Sequence, residues 1–142
     1  MLSKGEAAYL KAIYEAKVEY GKEVTSVKIA GKLKVKPPSA LEMIKKLSKK
    51  GLVRYSPWKE VEFTKKGLKV AESAIRKHRI LESCFVDLFK LDRRTACLEA
   101  SKIDFLISDE LADVICSVLN HPKKCPHNKC IPSSSMCCGG VS

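Results

Sequence analysis

Apolar residues recur at helical spacing over most of the chain, and one short stretch alternates instead. Across residues 4–19, Ala8, Leu10, Ile13, Tyr14 and Val18 keep to one face, with Gly21 just beyond. That spacing predicts a first helix which ends before the glycine. Val27, Ile29, Ala30 and Leu33 predict a short second helix, opened by Thr25, whose hydroxyl can accept a hydrogen bond from a first-turn N–H. Ala40, Leu41, Ile44 and Leu47 predict a third. Pro37 and Pro38 fit its entrance, where a missing N–H costs nothing, and Gly51 fits its C-terminal cap. "LVRYS" and "EVEFT" then alternate around "PWKE", the pattern of a β-hairpin.

From Thr64 the helical period returns. Leu68, Ala71, Ile75, Leu81, Phe85, Leu88 and Phe89 form a wide apolar stripe in a long helix. "DRRTACLEASKIDFLI" predicts a helix capped by Asp92, and "SDELADVICSVLN" another capped by Ser108, with acids in its first turn. These helices carry more apolar surface than so small a unit can cover, which predicts a homodimer interface. From His121 onward there is Pro, Ser, Gly and Cys without periodicity.

Three helices followed by a hairpin is the order of a winged helix-turn-helix, in which the third helix enters the DNA major groove. The predicted fold is therefore mainly α with a small β-hairpin. A winged helix-turn-helix is expected over residues 1–63, an all-helical dimerisation domain over residues 64–120, and a Cys-rich tail over residues 121–142. Charge sharpens this picture. The net charge of the 142 residues is +11, which favours a polyanionic partner. Lys28–Lys50 holds eight lysines and one acid, Glu42, whereas Asp104–Asp113 holds four acids and no base. On the third helix Ser39, Glu42, Lys46 and Lys49 recur on a face apart from the packing residues, one that can reach phosphates and base edges.

No apolar run reaches signal-peptide or membrane-span length, so a cytoplasmic protein without a membrane partner is expected. Cysteine number supports that expectation. Seven cysteines cannot all pair internally, and a reducing compartment favours free thiols or metal thiolates.

The strings "YLKAIYE", "IAGKLKVKPPSALEMIKKLSKKGLV", "FTKKGLKVAESAIRKHRILE", "ISDELAD" and "HPKKCPHNKCIP" run in order over residues 8–132. Through them the chain resembles the diphtheria toxin repressor and manganese transport regulator family of metal-dependent transcriptional regulators, in a short form without the SH3-like domain. The resemblance implies no enzyme but a homodimeric repressor of metal-homeostasis genes that binds a palindromic operator in double-stranded DNA when loaded with Fe²⁺ or Mn²⁺. It places DNA contacts on Pro38, Ser39, Glu42, Lys46 and Lys49, flanked by Ser26 and Lys28. Lysines stand where relatives carry arginines, which favours phosphate contact over bidentate guanine reading.

The same resemblance implies metal ligands at His78, Glu82 and Cys97. His78 and Glu82 are i, i+4 on one helix face, and a borderline or soft ion accepts imidazole, carboxylate and thiolate together. A second family site keeps only Asp104, because Ala8, Ser101 and Phe105 replace its other donors. New thiolates appear instead in the tail, where Cys125, Cys130, Cys137 and Cys138 form C-x4-C-x6-C-C. These suit a sensing iron–sulfur cluster or zinc. A thiol redox switch and constitutive DNA binding with a structural zinc are the alternatives.

Overall fold

The computed structural model describes residues 1–134, 136 and 137. They fall into two compact units, divided between Glu72 and Ser73. Among the described residues the first unit holds α1 (Lys4–Tyr14), α2 (Ser26–Leu33), α3 (Pro37–Lys49), β1 (Val53–Arg54) and β2 (Glu62–Phe63). A helix, α4 (Lys65–Asp87), runs from the first unit into the second. It is followed there by α5 (Arg93–Ile103) and α6 (Asp109–Val118). The mainly helical fold with one small hairpin is that expected from the sequence.

The local signals act as their chemistry requires. Thr25 Oγ1 accepts from Lys28 N at 3.2 Å, Asp92 from Thr95 N at 2.9 Å and Ser108 from Leu111 N at 3.0 Å. Pro37 and Pro38 occupy the first turn of α3, and Gly51 takes a positive φ of 73° just past its end. In the first unit α1, α2 and α3 pack on one another. Leu10, Ile13, Ile29, Ile44 and Leu47 are fully buried between them. β1 and β2 pair antiparallel with Val53 opposite Phe63. Gly67, in the first turn of α4, lies so close to the Leu52 backbone that any Cβ would collide with the Leu52 carbonyl.

Two elements depart from the spacing. The first helix changes to a π-helical stretch at Glu15–Glu19, with Tyr20 N donating to Glu15 O at 3.1 Å. The long helix stops at Asp87, which leaves Leu88 and Phe89 exposed instead of on its buried stripe.

Glu6 anchors the start of α1. Its carboxylate accepts from Ser3 N at 3.1 Å while Ser3 Oγ accepts from Glu6 N, a reciprocal cap, and it also pairs with Lys50. Burial pushes the Glu6 carboxyl up, but the Lys50 ammonium and the Ser3 bonds outweigh it, so its pKa falls below the usual 4.5. A depressed carboxylate contributes stability above its unfolded-state pKa and loses it as the pH falls through the folded-state value. Glu6→Ala should therefore cost about 1–2 kcal/mol near neutrality. In denaturant melts that cost should shrink once the pH is well below 4.5. An equal cost at both pH values would contradict this role.

Candidate metal centre and nucleic-acid interface

The second unit gathers metal-donor side chains from α4, α5 and the segment after α6. One face of α4 presents Arg76, His78, Arg79 and Glu82. His78 Nε2 lies 3.1 Å from Glu82 Oε1 and 3.5 Å from Cys97 Sγ of α5. The other oxygen, Glu82 Oε2, lies 2.7 Å from His127 Nδ1. Two three-donor groups result, His78/Glu82/Cys97 and Glu82/Cys125/His127, each with its ligand atoms within 4.8 Å of one another. Glu82 is the residue they share. It is only 3% exposed, so its carboxylate lies among these partners and away from bulk water. Burial pushes its carboxyl up, but the hydrogen bonds and charges of His78 and His127 prevail and hold it below the usual range. An ionised carboxylate among two imidazoles and two thiols fits a divalent cation, because every donor type is one such ions accept.

Asp104, the ligand that the family resemblance implies, touches the His78 ring. It is 2% exposed and stands outside both donor groups. Its Oδ2 is 2.9 Å from His78 Nδ1. A carboxylate on one ring nitrogen orients the ring and leaves the other nitrogen to face a metal. Ala8 and Phe105 have no side-chain donor.

The described tail cysteines, Cys125, Cys130 and Cys137, do not share one donor group. Cys125 is buried beside Glu82 and His127, while Cys137 joins Cys116 and His121. Cys130 is exposed and stands outside both groups. Cys138 lies outside the described residues. Sequence reasoning missed what positions this segment. Arg79 Nη1 donates to Cys130 O at 2.6 Å, and Arg76 donates to Pro132 O at 2.9 Å and to Asp113 at 3.0 Å. Both arginines are buried. Their signal was present in "RKHR", where two arginines lie on the buried face of a helix and require partners.

In the first unit the seven residues expected at DNA lie on or beside one two-helix motif. Ser26 and Lys28 are in the first turn of α2, and the others are on α3. Lys28, Pro38, Ser39, Glu42, Lys46 and Lys49 are exposed and Ser26 is half-buried. Lys28 sits 3.7 Å from Glu23, an exposed pair that a phosphate can replace at small cost. On the opposite face Ala40, Ile44 and Leu47 are buried, so the helix has one packing side and one free side. The hairpin tip adds a fully exposed aromatic residue, Trp58 at 103%. Among the described residues no helix is long and apolar enough to cross a membrane.

A helix-turn-helix with a hairpin wing, joined to a helical unit rich in metal donors, defines a class of DNA-binding regulator. Comparison with known proteins agrees for both parts. The model of the iron-dependent repressor N-terminal DNA-binding domain matches residues 1–61, and that of the iron-dependent repressor metal-binding and dimerisation domain matches residues 64–133. The chain belongs to the iron-dependent repressor family, whose members are transcriptional regulators and not enzymes. It is 31% identical over 112 residues to an uncharacterised helix-turn-helix transcriptional regulator of Methanocaldococcus jannaschii, covering 79% of this chain and 90% of that protein. It is 31% identical over 124 residues to the diphtheria toxin repressor of Corynebacterium glutamicum, covering 87% of this chain and 54% of that protein. The structure of the manganese regulator SloR superposes with a TM-score of 0.80 at 34% identity, covering 90% of this chain and 59% of that one. The chain thus spans little more than half the length of the last two.

Proposed function

We propose that this protein is a homodimeric, iron-responsive transcriptional repressor in which Fe²⁺ at the Glu82 centre strengthens binding of α3 to operator DNA. The observation that carries the proposal is the single buried carboxylate shared by two donor groups. His78, Glu82, Cys97, Cys125 and His127 would hold the metal, with Asp104 orienting His78. Thiolate at each group favours Fe²⁺ over the harder Mn²⁺. The mixed donors favour individual ions over an iron–sulfur cluster, which takes about four thiolates. A bound ion would hold the His127 segment to α4 and α5, and ordering of a segment is one way that a ligand shifts a conformational equilibrium.

The remaining parts follow from surface chemistry. Leu111, Val114 and Val118 of α6 are exposed at 44%, 59% and 65%, at spacings that put them on one helix face. Covering that face with a second copy gives a two-fold protein, and a two-fold protein reads a palindromic site. On the DNA side, Lys46 and Lys49 would contact phosphates, Ser39 and Glu42 would face base edges, and Ser26, Lys28 and Pro38 would fix the approach.

The test is selection of genomic DNA fragments by the anaerobic protein, with Fe²⁺ or with a chelator. With Fe²⁺ the same fragments should return in each repeat, enriched by about tenfold or more over the chelator sample, the usual size of a metal–DNA coupling. Equal recovery in both samples would refute metal control.

A further inference from the structure

The Glu82 centre leaves one donor group unused. Cys116, near the end of α6, His121, just beyond it, and Cys137 of the tail bring two sulfurs and a ring nitrogen within 4.8 Å of one another. They form C-x4-H-x15-C and share no residue with either Glu82 group. The geometry points to a second, separate metal site here, a thiolate–imidazole–thiolate site for Zn²⁺ that clasps the tail to the end of α6.

Three observations carry this. First, one atom, His121 Nδ1, faces both sulfurs, at 3.5 Å from Cys116 Sγ and 3.4 Å from Cys137 Sγ. A single ring lone pair serves one thiol well, whereas a near-equal approach to two sulfurs is the geometry of a shared centre. Tetrahedral zinc, with bonds of about 2.3 Å to sulfur and about 2.0–2.1 Å to nitrogen, sets nitrogen and sulfur about 3.6 Å apart. Second, the backbone delivers the histidine. Asn120 and His121 take positive φ values of 61° and 52°, which turn the chain back so that His121 N donates to Cys116 O at 2.8 Å. Consecutive left-handed residues without glycine are uncommon and collect where a side chain must be re-aimed. Third, the charges balance. Two thiols release two protons on binding, and the two thiolates cancel the ion's charge. The site therefore adds no net charge to a region where Cys116 is fully buried among Ile80, Cys125 and Ile131. Ser117 Oγ, 3.7 Å from Cys137 Sγ, can donate to that thiolate.

Zinc at this position would fasten the tail that Arg76 and Arg79 already hold by its carbonyls. This inference does not rest on DNA binding or on iron, so it is tested with both Glu82 groups disabled. Full-length Glu82→Gln protein is reduced, stripped of metal, loaded anaerobically with Zn²⁺ and freed of excess. It should retain about one zinc per chain, and with Co²⁺ it should show thiolate-to-metal charge transfer. Adding His121→Ala or Cys137→Ser, both at accessible positions, should remove the retained zinc and that absorption. Adding His121→Cys should restore zinc, because three thiolates also bind it, and this separates ligand loss from misfolding. No zinc retained by Glu82→Gln, or equal retention in the His121→Ala and Cys137→Ser forms, would overturn the site.

Discussion

Anaerobic titration of Glu82→Gln with Fe²⁺ should show metal affinity at the centre reduced by about 100-fold or more. Loss of a partner that merely orients a ligand costs about 10–100-fold, and Glu82 is itself a donor in both groups. The amide keeps the shape of the carboxylate but supplies no charge and only one good donor oxygen. Both donor groups therefore lose a ligand to one substitution, and DNA binding should become insensitive to iron. Cys97→Ser and Cys125→Ser each touch one group and should have smaller effects. Far-ultraviolet circular dichroism of the metal-free Glu82→Gln protein should match wild type, which assigns the loss to ligation. Wild-type iron affinity in this variant would remove the centre from consideration.

Lys46→Ala and Lys49→Ala together remove two phosphate contacts from each protomer and should weaken DNA binding by about 60-fold for each half-site, more than about 1,000-fold for the dimer, at 0.1 M salt. Each phosphate contact releases about 0.9 counterion, and at 0.1 M that release amounts to nearly one decade in affinity. The slope of log affinity against log salt should fall by about 3.6 in magnitude for the dimer, about 1.8 for each half-site. Both side chains lie on the free face of α3, so neither change removes core packing. Binding measured at several salt concentrations checks both numbers. An unchanged slope would move the DNA surface elsewhere. Metal affinity of the double variant should equal that of wild type.

The helices and their caps were legible because their causes are local. A hydroxyl or carboxylate at the cap, a proline in the first turn and an apolar stripe all act within a few residues of sequence. Thr25, Pro37, Asp92 and Ser108 therefore read correctly. The centre was legible in part through its family strings, which carried His78 and Glu82, and through the position of Cys97 that the resemblance implied. What stayed hidden depends on distant pairing. Arg79 holds Cys130 across 51 residues, and Glu82 meets His127 across 45. No period records such contacts. Density of cysteine in the tail suggested one four-thiolate centre, yet the chain turns through Asn128 at positive φ and forms a bridge between Lys124 and Cys130. The described tail thiols then face different partners. The end of α4 was misplaced for another reason. Leu88 and Phe89 continue the apolar period, but the helix stops at Asp87 and the chain turns at Lys90, which has a φ of 60°.

Coupling between the Glu82 centre and the DNA surface is measured by one linked equilibrium. A duplex chosen from the selected genomic fragments is held at saturation, and Fe²⁺ affinity is measured with and without it under anaerobic conditions. Coupling is reciprocal, so DNA must tighten Fe²⁺ binding by the same factor by which Fe²⁺ tightens DNA binding. The expected factor is about ten or more in wild type and none in Glu82→Gln. An Fe²⁺ affinity that is unchanged by DNA in the wild-type protein would contradict it.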